Sequence, residues 1–188
     1  MPPKAKFTEA EIVKAALAIV REEGFDALTA RALGERLGSS ARPIFTVFKS
    51  TDEIRQAVIA AARAMYREYI RRGLAETPAF KGVGRQYILF SVDEPKLFRL
   101  LFMNEYAETP TLANVLPIID ENYETILASV KDGYDLPRDA AERLYRHLWI
   151  YTHGIAALCA TRTCRFTGEE IDTMMTEVFI GLLKSLKN

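Results

Sequence analysis

Cysteine is scarce in this 188-residue chain, with Cys159 and Cys164 the only two. A C-x4-C pair is neither a disulfide framework nor half of a zinc site. It excludes a small domain held by covalent staples and points to a reducing, cytoplasmic setting. Long apolar runs are missing too: none approaches the ~18–20 residues of a membrane span, so no membrane partner is expected. The first residues, MPPKAKFTEAEI, have basic side chains but no apolar stretch behind them, and do not read as a secretory signal. Net charge is absent, 25 Lys and Arg balancing 25 Asp and Glu. Apolar material is plentiful instead, at 49% of residues, which is enough for a sizeable core and excludes a disordered chain.

Chemistry-bearing constellations are equally thin. Only two histidines occur, His147 and His153. Six residues apart on a helix, they are turned by about 240° and face different ways. No Glu-x-x-His pair is present, which argues against a carboxylate metal site in a bundle. Gly82-Val83-Gly84 has neither a preceding strand nor a third glycine, so it is not a nucleotide loop. A P-loop, a nucleophile elbow and a His-Glu-x-x-His run are missing as well. The expectation is a protein that is not an enzyme and uses neither cofactor nor metal.

The zero net charge hides an asymmetry. Residues 1–72 hold 13 Lys and Arg against 9 Asp and Glu, while the remainder holds 12 against 16. A basic first third on an acidic remainder suggests that the first part meets a polyanion.

Helix signals recur from end to end, and alternating strand patterns do not. Thr8-Glu9-Ala10-Glu11 is a capping box, followed by Ile12, Ala15, Ala16, Ile19 and Val20 on one helical face, with Gly24 as the stop. Thr29 caps a short second helix that carries Leu33 and Leu37 inward and closes at Gly38. Ser39 or Ser40 then caps a predicted third helix to about Phe48, with Pro43 tolerated in its first turn. Ser50-Thr51-Asp52-Glu53 opens a long helix to about Leu74. Further helices are predicted at 80–93, 95–103, 111–131, 138–160 and 168–187, with a kink or split at Pro117 and a third capping box at Thr167. The fold class is therefore all-α, with about nine helices.

Two short helices joined by Gly38-Ser39 behind a longer one make a helix-turn-helix pattern. The second helix of such a pair lies in the major groove while the first crosses the phosphates. Arg31, Arg42, Thr46 and Lys49 fall where those contacts are made. The capped starts at Thr29 and Ser40 offer N–H groups to phosphate.

The stretch from Phe7 to about Ile54 resembles the N-terminal domain of TetR-family transcriptional regulators. The matching residues are Gly24-Phe25, Thr29, Leu33, Leu37-Gly38, Ser40, Ile44-Phe45, Phe48 and Ile54. Looser echoes follow in Glu94-Pro95-Lys96-Leu97-Phe98, Leu100-Leu101-Phe102, Leu148-Trp149 and His153-Gly154. Three positions depart from the family pattern: Phe45 stands where Tyr is usual, Val47 where His or Tyr is frequent, and Thr51 where Lys commonly opens the next helix. Phe45 is left to pack on a thymine methyl. Phosphate anchoring is expected to be weaker, or to pass to Lys4, Lys6 and Arg55.

The resemblance implies a helix-turn-helix DNA-binding domain at 5–52, with its motif at about 29–48. A helical ligand-binding and dimerisation domain would follow at 53–188. The expected partners are a double-stranded DNA operator, a small-molecule effector and a second copy of the chain. The expected function is ligand-responsive transcriptional regulation, as a repressor. The alternative is a helical small-molecule-binding protein or enzyme that keeps the fold without reading DNA. An aromatic middle gives the candidate pocket residues Tyr87, Phe102, Tyr106, Tyr123, Trp149 and His153. The last two helices each carry an apolar stripe, which gives Tyr151, Ile155, Met175, Phe179, Leu182 and Leu183 as the candidate dimer interface.

Overall fold

The computed structural model describes residues 6–106 and 108–187. Among these residues there are no strands, and the chain is all-α. In chain order the helices are α1 (Glu9–Glu23), α2 (Ala30–Arg36), α3 (Thr51–Leu74), α4 (Ala79–Asp93), α5 (Pro95–Phe102), α6 (Val115–Ile119), α7 (Tyr123–Tyr134), α8 (Arg138–Ala160) and α9 (Gly168–Lys187). Short 3-10 turns lie at Phe25–Ala27 and Ile44–Thr46. No helix among the described residues is long and apolar enough to cross a membrane.

Local chemistry sets most of these boundaries. Thr8 Oγ1 accepts from the Glu11 N–H at 3.2 Å, while Glu11 accepts from the Thr8 N–H at 2.8 Å, closing the predicted box at the start of α1. Thr167 and Glu170 repeat that exchange at α9, with distances of 3.2 and 2.7 Å. At α3 the exchange is offset. Ser50 Oγ accepts from the Glu53 N–H, but the Glu53 carboxylate reaches past Ser50 to the Lys49 N–H at 2.6 Å.

The chain divides into two compact units. The first holds the described residues up to Met65 together with Lys96–Met103. The inward face of α1 (Ile12, Ala16, Ile19, Val20) is buried there, as are Leu28, Leu33, Ile44, Phe48 and Ile54. Lys96 Nζ donates to the Glu23 carbonyl at 2.9 Å, placing a cation on an orphan acceptor at the negative end of α1.

The predicted third helix, from Ser39 or Ser40 to Phe48, is not an α-helix. Only Ile44–Thr46 is helical, as a 3-10 turn. Pro43 has no N–H to donate and disfavours helical geometry at Arg42. Thr46 Oγ1 then donates to the Pro43 carbonyl at 2.7 Å, and the Val47 N–H turns to Ile44 instead. A side chain has taken the acceptor that a helical ladder would use.

The second unit holds Tyr66–Pro95 and the described residues from Asn104 onward. Here α4 packs against α7, α8 and α9, and α8 also packs on α7 and α9. Where α3 passes α4, Gly73 and Gly82 meet with no room for a side chain: a Cβ on Gly73 would lie 2.7 Å from the Val83 backbone. The predicted break near Pro117 falls later. Pro117 sits in the first turn of α6, where a missing N–H is harmless. The break is made by Asp120, whose Oδ1 accepts from the Asn122 N–H at 2.8 Å in an Asx turn.

Candidate DNA-reading surface and ligand cavity

In the first unit the segment from Ala41 to Ser50 sorts its side chains cleanly. Ile44 and Phe48 are buried and pin the 3-10 turn to the core. Arg42, Phe45, Thr46 and Lys49 are exposed, and Phe45 is left 41% open to solvent although aromatic. Thr29 and Ser40 are also exposed, and Thr51 is half-buried.

Thr29 Oγ1 accepts from the Ala32 N–H at 3.1 Å, which leaves its own O–H to donate. Arg31 pairs with Glu35 at 2.9 Å on the open face of α2. An ion pair so exposed is worth little and yields readily to another anion. Arg36 is paired across to Glu22 of α1 and holds the two helices together. Gly34 supplies a fit that sequence reasoning missed. A Cβ there would lie 3.0 Å from the Ser39 carbonyl, so its bareness lets the turn fold back on α2.

Two of the three substitute anchors have partners within the chain. Lys4 lies outside the described residues. Lys6 Nζ donates to Ser39 Oγ at 3.0 Å and sits over the Phe7 ring. Arg55 stacks on the Phe25 ring at 5.5 Å, with its Nε buried and unpartnered.

The second unit encloses a cavity of about 380 Å³ bounded by α3, α4, α7, α8, α9 and the α6–α7 turn. That volume lies at the small end of the ligand-pocket range. Of the six residues predicted for a pocket, Tyr87 and Trp149 are on its wall, while Phe102, Tyr106, Tyr123 and His153 are not. Phe102 belongs to the first unit and packs on Phe98. Tyr106 is exposed. Tyr123 stacks on the back of Tyr145 at 5.8 Å. His153 sits one step behind the wall, its Nδ1 2.9 Å from the Tyr87 hydroxyl.

The wall also includes Tyr66, Phe80, Tyr145 and Asp120, none of which stood out in the sequence. Tyr66 donates to Asp120 Oδ2 at 2.7 Å. Burial, reinforced by the negative charge of Asp120, holds the hydroxyls of Tyr66, Tyr87 and Tyr145 protonated well above the usual phenol range.

Met175 and Phe179, two of the residues expected at a dimer interface, line this cavity. Met175 Sδ accepts from Thr152 Oγ1 at 3.4 Å. Ile155 is buried within the unit as well, while Tyr151, Leu182 and Leu183 are half-buried. The large apolar side chains of these helices that are exposed are Ile150 and Leu158 of α8 and Ile180 of α9, the last also bordering the cavity. Gly154 and Gly181 on the same helices are exposed too, and nothing lies within 4 Å of where their side chains would be.

An exposed cation-bearing turn behind a short helix, together with a separate helical unit that encloses an aromatic cavity, is the build of a two-part helix-turn-helix regulator. The family described as "Bacterial regulatory proteins, tetR family" matches residues 12–58, and "Tetracyclin repressor-like, C-terminal domain" matches residues 80–179. The second match alone covers more than half of the chain, which therefore belongs to the TetR family of DNA-binding transcription regulators. No curated protein matches it.

Proposed function

We propose that the protein is a homodimeric, ligand-responsive repressor working in the cytoplasm. Residues 5–52 read operator DNA, and residues 53–188 sense a small molecule and dimerise. The observation that carries this reading is the split within the 41–50 segment: Ile44 and Phe48 are buried anchors, while Arg42, Phe45, Thr46 and Lys49 are presented outward. A turn held rigid from behind, with its polar and aromatic side chains in water, suits a groove-reading surface. Thr29, Ser40 and Thr51 flank it as phosphate partners, and Arg31 joins them by exchanging Glu35 for a phosphate.

The test is binding of the full chain to DNA flanking its own coding region and to random duplex, over a salt series from about 50 to 200 mM. Arg42→Ala is expected to cost roughly 1–3 kcal/mol on the specific duplex if the side chain reaches a guanine. Lys49→Ala weakens both duplexes alike and flattens the salt slope by about one unit per half-site. Transcription from the bound promoter falls as protein is added. If neither variant changes affinity or slope, the DNA-reading assignment of this turn is wrong. The reading of a ligand-binding helical protein or enzyme that no longer reads DNA then takes its place. That second reading is favoured by the nonpolar side chains of Phe45 and Val47 and the uncharged Thr51 at positions where the family has phosphate-facing groups.

A further inference from the structure

The cavity of the second unit is almost wholly apolar and aromatic, yet one carboxylate stands on its wall. Asp120 is only 6% exposed. Its hydrogen-bond partners are all neutral: the Tyr66 hydroxyl on Oδ2, and the Asn122 backbone N–H and side-chain amide on Oδ1, the amide at 2.9 Å. No cation pairs with Asp120 among the described residues. Lys81 is on the same wall, but it is half-exposed and lies 3.8 Å from Asp172, which Arg85 shares at 3.6 Å. A buried carboxylate whose partners are all dipoles has no counter-charge beside it, and aromatic walls of low polarity screen charge poorly.

The Asx turn accounts for Oδ1 and nothing more, since an asparagine would make the same turn. The charge itself needs another explanation. Tyr66, Tyr87 and Tyr145 surround Asp120 closely enough that its charge raises the ionisation range of all three phenols. Tyr66 and Tyr87 meet edge to face with ring centres 6.1 Å apart. Aromatic rings with negative faces beside one carboxylate make the end of the pocket at Asp120 electronegative. An anionic ligand would be repelled there. A neutral hydrocarbon would fill the apolar space but gain nothing from the carboxylate.

We propose that this cavity takes an organic cation, an amine or quaternary ammonium with apolar substituents, with its charge toward Asp120 and its apolar groups among the tyrosine rings. The inference rests on the reading of the second unit as the ligand-sensing part, and it names the chemical class sensed. Trp149, the single tryptophan of the chain, stands on the wall and reports occupancy by its fluorescence.

The experiment titrates the full chain with three probes of similar shape: benzyltrimethylammonium, its uncharged carbon analogue 2,2-dimethylpropylbenzene, and the anion phenylmethanesulfonate. The cation is expected to bind roughly ten-fold or more tighter than the neutral analogue, and the anion weakest. Asp120→Asn keeps the turn and both Asn122 bonds. It should remove that advantage while leaving affinity for the neutral probe unchanged, which also shows that the variant is folded. If the variant loses the neutral probe as well, the wild-type order of the three probes decides. Equal binding of cation and neutral analogue, preference for the anion, or an unchanged cation advantage in Asp120→Asn overturns the proposal.

A parallel arm adds each probe to the protein–DNA complex. Release by the neutral probe without charge selectivity leaves the sensing role standing and sinks the cation class. Selective cation binding without release from DNA does the reverse.

Discussion

The two units place their functional chemistry on opposite sides of the surface. In the first, the residues proposed to read DNA are in water, and buried side chains pin their turn: Ile44 and Phe48 go in while Arg42, Phe45 and Lys49 stay out. In the second, the candidate chemistry is enclosed, and large apolar side chains remain among those exposed on α8 and α9, with Ile150 47% and Ile180 45% exposed. A surface that meets a phosphate backbone gains from exposed, loosely paired cations, because each contact exchanges water and small ions. A cavity gains from exclusion of water, where a single charge such as Asp120 acts at full strength. The contrast predicts which substitutions damage which function.

The largest expected effect is on association. The outward apolar face around Gly154 and Gly181 is the surface now proposed to meet a second copy across a two-fold axis, with Ile150, Leu158 and Ile180 as its apolar contacts. Replacing both Ile150 and Ile180 with Glu would bury like charges there, at a cost of about 3–5 kcal/mol in dimer stability. Sedimentation should show the wild type as a dimer and the double variant as a monomer at the same concentration. An unchanged mass would remove this face from the interface and break the comparison at its apolar side.

Next in size is a pair of glycine substitutions, one in each unit. Gly82→Ala drives a Cβ into the Gly73 carbonyl of α3 and the Glu76 side chain just beyond it, so that backbone must shift. The expected loss is about 3 kcal/mol by urea unfolding, with weaker probe binding in the cavity. Gly34→Ala has a softer conflict, a 3.0 Å approach to the Ser39 carbonyl and the Ala41 N–H. It also gains roughly 1 kcal/mol of helix propensity, so net stability should change little. The turn carrying Arg42 is displaced, and DNA affinity should fall more than stability does. Equal loss of DNA affinity in both variants would show that DNA binding tracks global stability and not this local fit.

The difference between the units also explains what the sequence made legible. Helix starts at Thr8 and Thr167 were readable because capping is a contract among four neighbouring residues. The family string from Gly24 to Ile54 was readable for a related cause: its buried anchors and its exposed partners lie within one short stretch. The 3-10 turn at Ile44–Thr46 was not legible because Pro43 is harmless by itself in a first helical turn and Thr46 carries no helix-breaking signal of its own. Together they deny the ladder both a donor and an acceptor. The cavity was largely hidden. Tyr66, Phe80, Asp120 and Tyr145 come from four separate segments, and only the opposition of helix faces brings them to one wall. Periodicity located the apolar stripe of α9 without saying how it is divided. Met175 and Phe179 serve the cavity, whereas Ile180 borders it and is also exposed to solvent. Helical spacing defines a face, and only the neighbours determine what that face meets.

The smallest effect concerns His153, whose ring sits behind the cavity wall with Nδ1 2.9 Å from the Tyr87 hydroxyl and Trp149 5.3 Å away between ring centres. Burial disfavours the charged imidazolium and lowers the folded-state pKa below the ordinary value of 6.5. The Tyr87 phenol is kept protonated by burial, so it can donate to Nδ1 of the neutral ring, and protonation of Nδ1 would reverse the direction of that bond. The sign of the linkage follows. With the folded pKa lowered, the unfolded chain binds the proton more readily, so stability is complete above the ordinary imidazole range. It declines as pH falls through that range toward the lowered folded value. Unfolding curves for the wild type and His153→Gln, measured between about pH 7.5 and 5, should therefore differ in slope and not merely in height. The wild type should lose stability faster on acidification, by at most one proton's worth, while the variant follows only the background of the remaining groups. Above the imidazole range the two slopes should coincide. Parallel curves throughout would mean that His153 titrates alike in folded and unfolded chains and that the enclosure of this wall is looser than its geometry implies.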